Sequence, residues 1–303
     1  MSYKIFFSLV FFILAVALLG IYWLGPFTEV SFGFKERNYN FSLNSSNGEV
    51  SQFYPKMRFP TSSISYRIED CPLNKKEDME RSFEFISEKT ILGFYSVQNN
   101  EEIYVTCDSQ SKIEGRLFIA GEGGPTNITQ TSNFNVIKQG AITLIKESKC
   151  PIPNVGIHEL LHVLGFDHSP NPNNIMYEVS RCEQEISQDI IDTINNLYST
   201  PTLADLSIDN ASASMHGRYL DVSLTIINNG LKKSENSTVK IYADGDKVKE
   251  LEIGELEIGY GSKLTLKNTL VLQLNIDELK FVIEYPETEL DKINNEVTLS
   301  IKK

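Results

Sequence analysis

Residues 158–168 read His-Glu-Leu-Leu-His-Val-Leu-Gly-Phe-Asp-His and hold three of the chain's four histidines. No other stretch restricts the fold as tightly. His158 and His162 are four apart, so on a helix they project from one face and can chelate a single ion through imidazole nitrogens. Glu159 follows the first of them, where its carboxylate can reach a water on that ion. Gly165 comes three residues after His162, where a helix can end in a left-handed turn that glycine tolerates. Such a turn sends the chain back and lets His168 supply a third nitrogen. Three protein ligands leave a fourth position for water, the arrangement of one catalytic zinc ion and not of a structural one. A chance His-Glu-x-x-His with packed histidines is the competing reading, and the fixed Gly165 and His168 weigh against it. His216 stands alone in a turn region and reads as an ordinary surface residue.

The rest of the chain divides around this stretch. Its 303 residues suggest about two domains. Ile5 to Gly25 carries no charge, and a helix of that length, about 30 Å, matches a bilayer core. Tyr22 and Trp23 fall where an aromatic belt would, and Pro26 ends the run. A cleaved signal has an apolar region of only about 7–15 residues, so residues 1–26 read as a signal-anchor transmembrane helix. Lys4 before the run and Glu29, Lys35, Glu36 and Arg37 after it leave the orientation open by charge. Cys71, Cys107, Cys150 and Cys182 all follow it, as do several Asn-x-Ser/Thr triplets, which places the bulk of the chain outside the cell. The expected location is the cell membrane, single-pass, with secretion as the outcome if the segment is removed.

Residues 27–52 are polar and read as a tether. From residue 53 strand-like runs occur at Ser63–Ile68, Leu92–Val97, Glu102–Thr106, Arg116–Ala120 and Ala141–Ile145. Helical spacing appears over Leu73–Thr90, with Met79, Phe83 and Ile86 on one face, and over Ser187–Tyr198, with Ile190, Ile191, Ile194 and Leu197. Thr200-Pro201-Thr202 marks a boundary. Beyond it only period-two alternation remains, as in Leu220/Val222/Leu224/Ile226, Val239/Ile241, Phe281/Ile283 and Val297/Leu299/Ile301, with turn signals between, which suggests an antiparallel β-sandwich over 201–303. A net charge of -12 argues against a nucleic-acid partner.

With Met176 eight residues after His168, the long histidine motif resembles the metzincin zinc endopeptidases, and the His168-Ser169 step resembles their matrixin branch. The resemblance implies an α+β domain over 53–200, with a five-stranded mixed sheet and three helices, Met176 as an apolar floor beneath the ligands, and polypeptide substrates. It also implies that an extended substrate adds antiparallel to an edge strand, placed by family order at Arg116–Ala120. Glu178 departs from the matrixin pattern, which has proline there, and leaves the shape of the S1′ wall open; Tyr177 is given no ligand role. No cysteine precedes Cys71, so a cysteine-switch pro-segment is not expected, and a second, structural zinc lacks histidines. The residues do not bear on structural calcium.

Residues 203–303 resemble a CARDB domain, a cell-surface β-sandwich module, through Ala204-Asp205-Leu206, the Ile226-Ile-Asn-Asn-Gly run and Asn294-Asn295. If the four cysteines pair, three connectivities are open. Family topology implies Cys71–Cys107 and Cys150–Cys182; free buried thiols are the alternative, and no Cys-x-x-Cys suggests a zinc-thiolate site. Two functions are weighed. One is a membrane-anchored extracellular zinc endopeptidase whose C-terminal domain meets a cell-surface partner. The other is a non-catalytic surface binding protein whose zinc is structural, and an intact Glu159 favours the enzyme.

Overall fold

The computed structural model describes residues 3–24, 29–34, 51–109, 113–114, 117–146, 148–273 and 276–301. In chain order the elements are α1 (Tyr3–Leu24), β1 (Glu29–Phe34), β2 (Met57–Arg58), β3 (Ser63–Ile68), α2 (Leu73–Lys89), β4 (Gly93–Ser96), β5 (Ile103–Cys107) and the short pair β6 (Ile113–Glu114) and β7 (Leu117–Phe118). Then come β8 (Gly121–Gln130), β9 (Asn135–Leu144), α3 (Asn154–Val163) and α4 (Gln188–Ser199). The remaining strands are β10 (Leu206–His216), β11 (Tyr219–Asn228), β12 (Ser237–Ala243), β13 (Asp246–Ile253), β14 (Gly261–Leu270), β15 (Glu278–Glu284) and β16 (Glu296–Ile301).

The first domain is built on β4, β3, β5 and β9, all parallel, with β8 antiparallel along the free edge of β9. The two-residue β2 adds to β9 ahead of β5, so the sheet has six strands where five were expected. Three helices accompany it. Met79, Phe83 and Ile86 of α2, Ile157, Leu160 and Leu161 of α3, and Ile190, Ile194 and Leu197 of α4 join the sheet residues Ile64, Ile103, Val105 and Ile142 in one apolar cluster. The 3.6-residue spacing of the helices buries one face of each, and the parallel strands alternate buried apolar residues with polar or less buried ones, as in Ile103/Val105 of β5 and Val136, Ile142 and Leu144 of β9. Lys75 is also drawn in: its ammonium donates to the carbonyls of Asp108, Leu144 and Ile145, closing the ends of β5 and β9. The edge strand is β8, whereas Arg116–Ala120 had been expected in that place; among the described residues Leu117–Phe118 pairs with Ile113–Glu114 alone.

The second domain runs in hydrogen-bonded order β13-β12-β15-β16-β1-β10-β11-β14. Alternate residues of both halves, among them Leu220, Val222 and Leu224 on one side and Val239, Ile241 and Phe281 on the other, share a single core, as a sandwich requires. Residues 29–34 were expected within the tether, and here they form a strand that pairs antiparallel with both β10 and β16. Within a mostly polar stretch, Val30, Phe32 and Phe34 alternate with Glu29, Ser31 and Gly33, the period-two pattern of a strand. The rest of the expected tether up to residue 50 lies outside the described residues.

The expected membrane anchor needs correction as well. Its helix is present as α1, with Phe6, Phe7, Phe11 and Phe12 exposed and packed against neither core. Yet among the described residues no helix is long and apolar enough to cross a membrane.

The two domains meet beyond the Thr200–Thr202 boundary. Phe134 and Val136 of the first pack with Leu231 and Ile258 of the second. Asn133 Nδ2 donates to the buried Asp205 carboxylate at 2.6 Å, and the Ser132 amide donates to Asn229 Oδ1 at 3.0 Å.

Candidate metal centre

α3 carries the first two histidines, and the way the helix ends positions the third. Gly165 has φ +95°, its amide donates to the His162 carbonyl, and the Phe166 amide donates to the Leu161 carbonyl. These two bonds are the paired closures of a Schellman turn, in which the left-handed residue is nearly free of cost only for glycine. A methyl group at Gly165 would also lie 2.7 Å from Met57 Cβ. The turn reverses the chain and brings His168 back beside the helix.

His158, His162 and His168 come together with ligand nitrogens within 4.8 Å of one another; no cysteine, aspartate or glutamate of the described residues joins the group. His162 Nε2 lies 3.0 Å from His158 Nε2 and 3.2 Å from His168 Nε2. His158 and His162 are buried and His168 is exposed, so the cluster opens to solvent on the side of the third ring.

The first two rings are fixed from behind. His158 Nδ1–H donates to the Ile175 carbonyl at 2.7 Å, and His162 Nδ1–H donates to the Phe166 carbonyl at 2.8 Å. A carbonyl can only accept, so each Nδ1 carries the proton and each Nε2 presents a lone pair to the shared centre. Burial lowers the His158 pKa to about 4 and lowers that of His162 too, keeping both rings neutral. Facing lone pairs at such distances repel unless a cation sits between them. Three converging imidazoles with one side open suit zinc, which takes nitrogen ligands tetrahedrally.

Glu159 is buried against β8. A methyl group at Gly121 would lie 2.9 Å from Glu159 Oε1, and one at Gly123 would lie 2.5 Å from the Glu159 carbonyl oxygen. These two glycines, on one face of the edge strand, let its backbone pass directly over the glutamate. Burial, reinforced by the Glu122 carboxylate, pushes the Glu159 carboxyl up to about 8; a dication nearby acts in the opposite sense. Met176 is fully buried in the turn below. Its carbonyl accepts from the Ser169 amide, its own amide donates to Asn174 Oδ1, and the preceding carbonyl is the one that holds His158.

The disulfides are Cys71–Cys107 and Cys150–Cys182, the pairing that family topology implied. The second ties the approach to α3 to the segment past Met176. His216 lies elsewhere, at the end of β10, 4.0 Å from Asp221. Sequence reasoning missed Gly121 and Gly123, whose signal was two glycines an even number apart in a strand, and Phe53, whose ring stacks on His162 at 5.7 Å.

Residues 58–199 match the family model described as matrixin, and residues 203–299 match the one described as CARDB. Among solved structures, the chain is similar to high choriolytic enzyme 1, a hatching enzyme zinc-protease from Oryzias latipes, at 16% identity, covering 46% of this chain and 90% of that one, with a TM-score of 0.30. It is also similar to the CARDB domain of a Pyrococcus furiosus protein in complex with di-metal ions, at 17% identity over 32% of this chain and 88% of that one, TM-score 0.27. A putative cell surface protein domain from Methanosarcina acetivorans is 20% identical over 33% of this chain and 93% of that one, TM-score 0.26. The chain thus joins a matrixin domain of the metzincin type to a C-terminal CARDB domain.

Proposed function

We propose that this matrixin domain is a working zinc endopeptidase that hydrolyses polypeptides outside the cytoplasm. His158, His162 and His168 would hold the ion, and zinc bound there supplies Lewis-acid polarisation of a peptide carbonyl and an acidified water. The protein's own part is orientation and proton transfer. The carbonyls of Ile175 and Phe166 keep two rings in the ligating tautomer. Glu159 removes a proton from the attacking water and returns it to the departing amine, a role that contributes about 10²–10⁴-fold. Met176 closes the floor and excludes water from below. β8 pairs only with β9 among the described residues, so its outer edge is available to an extended peptide, with main-chain hydrogen bonds setting the register. Two disulfides favour an oxidising compartment, and the CARDB domain fits a role at a cell surface, as spacer or as substrate-recruiting module.

The convergence of three Nε2 atoms on one point, beside a buried glutamate under an edge strand, carries this reading. The test loads the full chain with zinc and compares cleavage of casein and a peptide library by wild type and Glu159→Ala. The variant should keep its zinc and lose activity by at least about 10². Equal rates would refute the role of Glu159, and a zinc-loaded wild type that cleaves nothing would favour the surface-binding reading.

A further inference from the structure

The family match begins at residue 58, but the ligand-bearing turn is held by residues ahead of it. The Asp167 amide donates to the Ser51 carbonyl at 2.8 Å, and the Phe53 amide donates to the Gly165 carbonyl at 2.9 Å. Between these bonds Gln52 and Phe166 face each other as an antiparallel bridge. Gln52 is itself locked: its side-chain oxygen accepts from the Met57 amide at 3.0 Å, and its Nε2 donates to the Met57 carbonyl at 2.8 Å. Met57 in turn is the residue packed against Gly165. The Phe53 ring lies on the His162 imidazole at 5.7 Å and 21° between planes, a stacked pair, and keeps 40% of its surface exposed.

We propose that Ser51–Phe53 is a strap that positions the metal-binding turn, with Phe53 a positioning residue for His162. Stacking uses the flat face of the imidazole and leaves its in-plane lone pair free to ligate. The strap touches the centre at two places. Its two backbone bonds bracket Gly165–Asp167, the hinge that brings His168 to the other rings. Its ring covers the side of His162 that the Phe166 carbonyl does not restrain. The unit that binds metal therefore includes Ser51–Phe53, upstream of the matched domain.

This rests on the zinc reading of the histidine cluster, and the experiment separates the two. Zinc affinity of the full chain is measured by competition with a chromophoric chelator for wild type, Phe53→Ala and Phe53→Tyr, together with the thermal midpoint of each metal-free protein. Phe53→Ala should bind zinc about 2- to 10-fold more weakly, the range of a lost aromatic pair. Phe53→Tyr should restore wild-type affinity, and the metal-free midpoints should agree, since a ring this exposed contributes little to the core. Wild-type affinity in Phe53→Ala overturns the proposal, as does a loss that tyrosine fails to restore. A Phe53→Ala protein too unstable to measure is replaced by Phe53→Leu, which keeps apolar bulk without a stacking face and should show the same loss. No zinc binding by wild type would instead sink the metal centre itself.

Discussion

The two disulfides close loops of almost equal length, 32 residues apart for Cys150–Cys182 and 36 for Cys71–Cys107. In the chain-entropy picture each removes about 4 kcal/mol of disorder from the unfolded chain. Replacing either pair by serines should therefore destabilise the first domain by a similar amount. At an m-value of about 2 kcal/mol/M this lowers its urea midpoint by about 2 M. Their effects on the metal centre should differ. Cys150 stands just ahead of α3, and Cys182 follows the segment whose Ile175 carbonyl holds His158. Asn154 Nδ2 donates to the Arg181 carbonyl across the same two segments at 2.6 Å. Cys71 and Cys107 join the approach to α2 to the end of β5, and neither element bears a candidate ligand. Cys150→Ser/Cys182→Ser should thus weaken zinc binding beyond its effect on stability, and Cys71→Ser/Cys107→Ser should not. Urea unfolding of the metal-free proteins and chelator competition read the two quantities separately. A stability loss below about 1 kcal/mol, or equal losses of zinc affinity in the two variants, would refute this reasoning.

Two further outcomes follow from particular contacts. Gly123→Ala would force a methyl group against the Glu159 backbone and should cost activity at least about tenfold, while Gly124→Ala, which meets nothing within 4 Å, should be silent; equal rates for the two would remove β8 from its place over Glu159. In the second domain burial raises the pKa of Asp205 above that of the unfolded chain. Stability from this group is therefore fully present below the unfolded value, about 4, and is lost as pH rises through the folded one. Thermal midpoints of wild type and Asp205→Asn should move apart in the asparagine variant's favour as pH rises from about 4, and a constant difference would contradict the sign.

How much of this could be read from the sequence depends on the range of the interactions involved. The histidine stretch was legible because helix pitch alone sets His158 beside His162 and because only glycine suits the turn at Gly165. The helical faces of α2 and α4 and the alternation of β11, β12 and β15 were legible for the same local reason. The strand at Glu29–Phe34 was masked by the polar residues that follow it, and the local alternation of Val30, Phe32 and Phe34 says nothing of its partners β10 and β16, some 170 or more residues along the chain. β8 was hidden because Gly121, Gly123, Gly124 and Pro125 offer no apolar alternation; here Gly121 and Gly123 admit the passage over Glu159 instead. The uncharged run announced the helix α1, because an unbroken apolar stretch carries no turn or charge signal inside it. The strap at Ser51–Phe53 was divided between tether and domain, for its hydrogen bonds are made by backbone groups that every residue carries.

X-ray absorption at the zinc edge of the loaded full chain tests the central claim most directly. The account predicts three imidazole nitrogens at about 2.0 Å with one further light-atom scatterer, and an unchanged spectrum in Glu159→Gln. Two imidazoles or fewer, a sulfur ligand, or a fourth protein side chain in place of the open position would contradict it.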